Sequence, residues 1–384
     1  MNNFEQKFKD TILLKYGNKR DKNNDNLLLD DNNKKIKIDV DSIRKDFNED
    51  VFTIDPHNCQ DADDAFSIYT KDNKLYLAIH IADPTHYISL NSLLWTDVLS
   101  RGITHYPSNN LPIHMLPEEI VNKSSLMTYY LPQKKRAITI TYEINKNTYL
   151  PTNNINIDFT FITVKKENQY SYKKASNEIN NIFDLGLIIS QKLKKERSHK
   201  TIGTKLSDID FLSINYENTI SIDHVSSKEK KMKEMIAEFA ILTNSFIGEF
   251  IMINIDGMGI FRTCNYNTTD NLSDINLSGE ELLDKIIKNG IKGSYSENNQ
   301  SHDLVGKELY CHFTSPMRRA TDCICHYMIK CYFLDLHYPW NKTDLNNICN
   351  NIIEKTHKEK KIQFDDIKFR TIQLISFLLP EYNV

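Results

Sequence analysis

A surplus of positive charge, a paired-cysteine motif and an uninterrupted apolar run are all missing from this 384-residue sequence. Lys and Arg number 48 against 51 Asp and Glu, a formal net charge of −3. Any grip on a polyanion must therefore come from local basic patches rather than from the chain as a whole. The seven cysteines are odd in number and none forms CxxC, which argues against a zinc ribbon or a dithiol redox site. Cys323-Ile324-Cys325 falls in a helical-looking stretch, and free buried thiols in a reducing compartment are the expectation. Met1 to Arg20 lacks the apolar core of a secretory signal, and Glu5 and Asp10 argue against a mitochondrial presequence. The longest apolar run, about residues 239–255, is broken by Asn244, Glu249 and Asn254 and reads as too short to span a bilayer. A cytoplasmic protein without a membrane partner is expected. No repeat at solenoid periods is visible.

Hydrophobic residues make up 40% of the chain and charged residues 26%, a globular balance with ample material for a core. Residues 18–35, NKRDKNNDNLLLDDNNKK, read as a mobile linker or surface loop, and the segment before about residue 44 is too short for a core of its own. β-branched and aromatic runs follow. Val51 to Ile54, Leu75 to Ile81 after a turn at Asp72-Asn73, Ile138 to Ile144 and Ile155 to Val164 read as strands. Helical spacing governs the second half: Ile179 to Lys200, Lys228 to Ile255, Glu280 to Lys288, Pro316 to Leu336 and Leu345 to Leu378. The expected organisation is a partly flexible extension over 1–43 and one mixed α+β domain over 44–384. Its first half is β-rich, with the helices of the second half packed around it.

The segment TIDPHNCQDADDAFSI at residues 53–68 carries the densest chemistry. Asp55, Asp61, Asp63 and Asp64 fall where a strand runs into a loop, flanked by Phe52, Ile54, Ala65, Phe66 and Ile68. Solvated loop acids and Asx turns offer a plainer account of such a run. The apolar flanks, however, draw these acids toward the core, where like charges this close repel unless cations hold them. Hard divalent ions take oxygen ligands, and two of them can serve both the entering and the leaving oxygen of phosphoryl transfer. The glycine and closing glutamate of an EF-hand loop are absent. Farther along, TSPMRR at 314–319 reads as a capped helix start, with Pro316 at the first position and Arg318 and Arg319 in the first turn. Cations there oppose the helix dipole unless an anion such as phosphate lies between them and the free N–H groups.

The acidic segment resembles the signature of the RNB (ribonuclease II) exoribonucleases. In the order of that family there follow HIADPTHYI at 80–88, RGITHYPSNNLPIHMLPEEI at 101–120, KKRAITITYEI at 134–144, EMIAEFAILTN at 234–244, GIFRT at 259–263 and YCHFTSPMRRATD at 310–322. An ordered series of motifs is far more specific than any one of them. The resemblance covers roughly residues 44–370. It implies an RNB-type catalytic domain hydrolysing single-stranded RNA from the 3′ end to nucleoside 5′-monophosphates. It further implies one or two Mg²⁺ or Mn²⁺ ions on Asp55, Asp61, Asp63 and Asp64, with Asp63, Asp64 and Arg318 as catalytic residues. Tyr106 would stack on a base, and Arg318, Arg319 and Glu238 would contact RNA. For Tyr106 the plainer role is packing in the sheet, for Arg319 pairing with an acid, and for Glu238 a helix-surface ion pair. His80, alone in an apolar strand, is read as structural. The basic stretches 192–200 and 228–233 are solvated helix faces or RNA contacts. The chain departs from the family pattern at Ala320, at Cys264 and at His326-Tyr327. The OB-type domains that flank the family's catalytic domain have no counterpart in this sequence, which suggests RNA anchoring by a partner protein. The competing reading is a catalytically inactive RNA-binding scaffold.

Overall fold

The computed structural model describes residues 10–11, 14–17, 19–33, 35, 37–107, 111–127, 133–198, 212–215, 221–224, 226–265, 281, 286, 288 and 291–378. Its framework is a five-stranded sheet, ordered β1-β6-β5-β4-β3. The strands are β1 (Lys45–Asp46), β3 (Asp64–Lys71), β4 (Lys74–Ala82), β5 (Lys134–Ile144) and β6 (Pro151–Thr163). β1 lies parallel to β6 and the other neighbours are antiparallel. The β3–β4 hairpin turns through Asp72 and Asn73, both at positive φ, so Lys71 faces Lys74 across a two-residue loop. That backbone matches the twist of the strands, and Asp and Asn tolerate it better than most residues. β2 (Thr53–Asp55) sits off this sheet, paired with β7 (Gln169–Ser171), while reciprocal bonds between Phe52 and Phe66 tie it to β3.

Helices cover the sheet. α1 (Lys22–Asn33) precedes β1, and α2 (Leu93–Arg101) and α3 (Glu118–Ser124) join β4 to β5. α4 (Tyr172–Ala175) and α5 (Asn181–Ser198) come after β7. Beyond the β8 (Leu212–Asn215) and β9 (Ser221–His224) pair, α6 (Ser227–Asn254) starts on a cap in which Ser226 Oγ accepts the Glu229 N–H. The short pair β10 (Phe261–Thr263) and β11 (Ser294–Ser296) follows, then α7 (Ala320–Phe333) and α8 (Lys342–Leu378). By length and composition α6 could cross a membrane. Here its apolar face packs inward, Phe239 against Phe66 and Phe246 against Tyr142. All seven cysteines are free, six buried and Cys59 partly so. His80 is enclosed between Ser67 Oγ at 3.1 Å and Thr139 Oγ1 at 2.8 Å, and burial holds its imidazole down at about 3. It is a neutral core histidine, as the strand context suggests.

Two expectations need correction, and a third lies almost wholly outside the described residues. The Asn/Asp/Lys stretch read as a linker or surface loop contains α1, docked by Leu28 and Leu29 against the core and by hydrogen bonds. Arg20 donates to Asp25 at 2.6 Å and to Asp97 at 2.6 Å, while Asn32 binds the Tyr87 carbonyl and the Ser89 N–H. TSPMRR does not open a helix. α7 begins only at Ala320, with Arg319 as its cap residue in extended backbone. The helix expected at 280–288 falls almost wholly outside the described residues.

α7 is buried along nearly its whole length and carries Lys330 into the interior, where its Nζ lies 2.7 Å from Asp83 Oδ1. Arg44 takes the other oxygen of Asp83, and all three side chains are fully enclosed. Burial alone would raise the Asp83 carboxyl; Lys330 and then Arg44 outweigh it and hold the group well below the carboxylate range. The triad links the entry to the sheet, the end of β4 and the central helix. Asp83→Asn should lower unfolding free energy by about 3–5 kcal/mol in urea titrations, because two buried cations lose their counter-charge. The folded-state value lies below the unfolded one, so this stabilisation is complete above about pH 4 and should be flat from there to neutrality.

Candidate active site

A cleft of about 1160 Å³ opens where β2 ends, β3 begins and α6 passes behind them. Asp55 closes β2 and Asp64 opens β3, and the Phe52–Phe66 bridge sets the two strand ends side by side. The loop between them is pinned rather than free. Asn58 takes positive φ, Ala62 N–H donates to Ser125 Oγ at 3.2 Å, and Leu126 N–H donates to the Ala62 carbonyl at 3.0 Å. All four aspartates line the cleft, with Asp55, Asp61 and Asp63 buried and Asp64 partly so.

Asp63 faces the loop ahead of α7. Its Oδ1 accepts the Met317 N–H at 2.8 Å and its Oδ2 accepts Arg318 Nε at 3.1 Å. Arg318 also donates to Ser315 Oγ at 2.7 Å, yet its side chain stays 47% exposed and lines the cleft. The anion expected among the N–H groups of this segment is, in the folded chain, the Asp63 carboxylate. The loop is fixed from its other side as well, since Thr104 N–H donates to the Arg318 carbonyl and Ala320 N–H to that of Gly102.

Burial, then Asp64, Asp63 and Asp61, push the Asp55 carboxyl well up, and Arg318 offsets only part of this. Asp63 is raised by burial against the pull of Arg318 and the Met317 N–H. Asp64 stands at about 6, raised by burial and restrained by Arg318 and Arg319. Asp55 Oδ2 is buried with no hydrogen-bond partner. A carboxylate oxygen left this way, in a set of oxygen donors, is what a hard divalent cation would satisfy. Three ligand atoms come within 4.8 Å of one another only at Asp39, Asp41 and His86 among the described residues. That group lies outside the cleft, and Arg44 and Arg136 already occupy Asp41. The cleft acids are more spread, which suits an ion completed by water and a substrate phosphate.

The remaining expected residues part company. Tyr106 lines the cleft, 42% exposed as a residue, with its hydroxyl donating to Asp61 Oδ2 at 2.5 Å. Arg319 is not directed into the cleft. It makes a two-pronged pair with Asp322, both bonds at 2.8 Å. Glu238 does not join the acids either; Arg197 holds both of its oxygens in a separate hollow of about 430 Å³. From the same stretch of α6, Lys233, Ile236, Ala237 and Ala240 line the cleft instead. Tyr172 is a cleft residue that sequence reasoning passed over, and Lys233 is one that it left between helix surface and RNA contact. Tyr172 lies outside every quoted motif, and Lys233 sat inside a basic run.

The family model described as the RNB domain matches residues 44–335. Ribonuclease R of Mycoplasmopsis pulmonis is 25% identical over 324 residues, 75% of this chain and 44% of that protein. The chain spans about a third to a half of the length of the curated relatives it matches. Among solved structures, Mycoplasma genitalium RNase R superposes with a TM-score of 0.78 at 18% identity, both without ligand and in complex with ribose-methylated single-stranded RNA. The match covers 98% of this chain and 66% of that one. Yeast Ssd1, a pseudonuclease, superposes with a TM-score of 0.72 at 15% identity over 89% of this chain and 47% of that one.

Addition of Mn²⁺ or Mg²⁺ should raise the melting temperature of the metal-free protein. Asp55→Asn should abolish that rise while stabilising the metal-free form by about 1 kcal/mol, because it removes one of the mutually repelling charges.

Proposed function

The chain belongs to the RNB-domain family, and on that premise we propose that it is a metal-dependent exoribonuclease. It would hydrolyse single-stranded RNA from the 3′ end and release nucleoside 5′-monophosphates. The observation that carries this reading is the pairing, in one cleft, of a half-exposed Arg318 with four aspartates, one of which keeps an unpartnered buried oxygen.

Asp55, Asp61 and Asp64, with Asp63 behind them, are the residues that would hold Mg²⁺ or Mn²⁺. The ion would supply Lewis-acid polarisation of the scissile phosphate and lower the pKa of the attacking water. Asp63 has a second duty: by accepting from Met317 and Arg318 it sets the guanidinium in place. Arg318 Nη1 has no hydrogen-bond partner among the described residues, so it is available to a non-bridging phosphate oxygen as charge develops there. Tyr106 offers a stacking face that does not discriminate between bases, as a general degrader of RNA requires. The restraint of its hydroxyl by Asp61 would keep that face at the cleft rather than folded over the acids.

An inactive RNA-binding scaffold is the second reading. It is favoured by the shared fold with a pseudonuclease and by the diversion of Glu238 into an ion pair with Arg197.

The two readings separate on a 5′-labelled single-stranded RNA of about thirty nucleotides, longer than one binding site. With Mg²⁺ or Mn²⁺ a shortening ladder is expected, abolished by EDTA and by Asp55→Asn. Arg318→Ala should slow it by about 10²–10³-fold, the scale of losing one transition-state donor. Asp63→Asn would be less informative, since it also frees the arginine loop. RNA retained by folded protein with no shortening would replace the enzyme with the scaffold.

A further inference from the structure

A second group of cations gathers beside the strand segment that leads into the arginine loop, where Arg262 N–H donates to the Tyr310 carbonyl at 2.8 Å. Arg262 lies in β10, Lys292 precedes β11, and His357 and Lys360 stand one turn apart on α8. Among the described residues none of the four makes an ion pair or a side-chain hydrogen bond, in a chain where most arginines are committed to carboxylates. Arg262 is nevertheless seated. Its guanidinium carbon lies 4.7 Å from the centroid of the Tyr295 ring. A Cβ at residue 293 would come within 2.5 Å of its Nη2, so the backbone of Gly293 makes room for it. Tyr295 is itself buried and donates to, or accepts from, His312 Nδ1 at 2.7 Å, so the platform under the guanidinium is rigid.

The charges feel one another. Partial burial, then Arg262 and Lys292, lower the Lys360 ammonium. Burial, then Lys292, Lys360 and Arg262, lower His357, which leaves that imidazole neutral and the patch with three cations. Asp303 acts on the same Cys264 and His302 as Arg262 does, one acid against three cations. Like charges assembled on a built platform are a cost to the folded chain that an anionic ligand would lower. The patch adjoins the segment that enters the cleft, since Tyr295 under Arg262 is bonded to His312, two residues before the cleft residue Thr314.

We propose that Arg262, Lys292 and Lys360 form a second site for the RNA backbone, which holds phosphates of the substrate that lie outside the acidic cleft. The proposal rests on the exoribonuclease reading and gives it a substrate-length dependence. Only RNA long enough to extend beyond the cleft gains from the patch. The planar guanidinium fixed on Tyr295 would take two phosphate oxygens at once, while the lysines act as adjustable point charges. An acidic protein segment is the other occupant such a patch could take, and it would leave RNA affinity independent of these residues.

The test compares kcat/KM for a single-stranded RNA of about twenty nucleotides with that for one of about four, which fills little more than the cleft. Wild type, Lys292→Glu/Lys360→Glu and Arg262→Gln would be measured between about 50 and 200 mM salt. Circular dichroism melts would show that each variant folds. In the double variant the long-to-short ratio of kcat/KM is expected to fall at least tenfold. The slope of log kcat/KM for long RNA against log salt should become shallower by about two, one per lost phosphate contact. Arg262→Gln, which keeps the stem of the side chain, should move the same ratio in the same direction. A ratio and slope equal to wild type in both folded variants would overturn the patch and leave the enzyme intact. Wild-type protein that shortens neither RNA would overturn the exoribonuclease reading, and the patch with it.

Discussion

Asp63 is bound to Met317 and Arg318 across more than 250 residues of sequence, and the geometry of the cleft hangs on that contact. The arginine loop is also held by main-chain bonds to the Gly102–Thr104 segment and by Asp322 on the Ser315 N–H, while Asp63 together with Ser315 Oγ sets where the guanidinium points. The same carboxylate sits in a row of acids that burial makes costly. One side chain therefore answers two demands: it adds negative charge to the cleft and takes up positive charge from Arg318. That coupling explains why Arg318 can remain half exposed and yet be directed, with two of its nitrogens anchored and the third open.

The cleft is a place where stability has been given up. Asp55, Asp63 and Asp64 are all raised, chiefly by burial, and one oxygen of Asp55 has no partner. The cost is offset elsewhere. The Arg44–Asp83–Lys330 triad is as buried as the acids, but its charges balance in sign and every oxygen of Asp83 is used. It fastens α7 to the end of β4, and α7 in turn carries Asp322, which fixes Arg319 and caps the loop through the Ser315 N–H. A rigid helix beneath the loop lets a strained electrostatic arrangement persist above it. The two arginines thus divide the work, Arg318 facing the cleft and Arg319 fastening the loop to its helix.

Most of the framework was legible in the residues. β2, β4, β5 and β6 announced themselves by β-branched and aromatic runs, the Asp72-Asn73 turn by its residue types, and α5 and α6 by helical spacing, whereas β3 was not picked out. α1 was not legible, because its docking depends on Arg20, Asp25 and Asn32 meeting partners on α2 and the loop before it, and no local pattern encodes those partners. The helix start at TSPMRR was misread for a related reason. Local capping preferences favoured a helix from Pro316, but the N–H of Met317 finds Asp63 and that of Ser315 finds Asp322, so the backbone makes a single turn over 316–318 and the helix begins only at Ala320. Tertiary hydrogen bonds outweighed a propensity worth a fraction of a kcal/mol per residue.

By itself the sequence determined the family: four aspartates at a strand–loop junction, followed in order by the motifs of one family, specify an RNB domain whose cleft is lined by oxygen donors. It also determined the β-then-α order, since side-chain period is a local property. Only the tertiary structure decided which charges are spent and which are free. Arg319 and Glu238 are each taken by a partner close in space, Asp322 and Arg197, while Arg318 and the Arg262 patch keep nitrogens unclaimed. Charge pairing acts over a few ångströms, as between Arg197 and Glu238, 41 residues apart in the chain, so it is settled by the fold and cannot be read along the sequence.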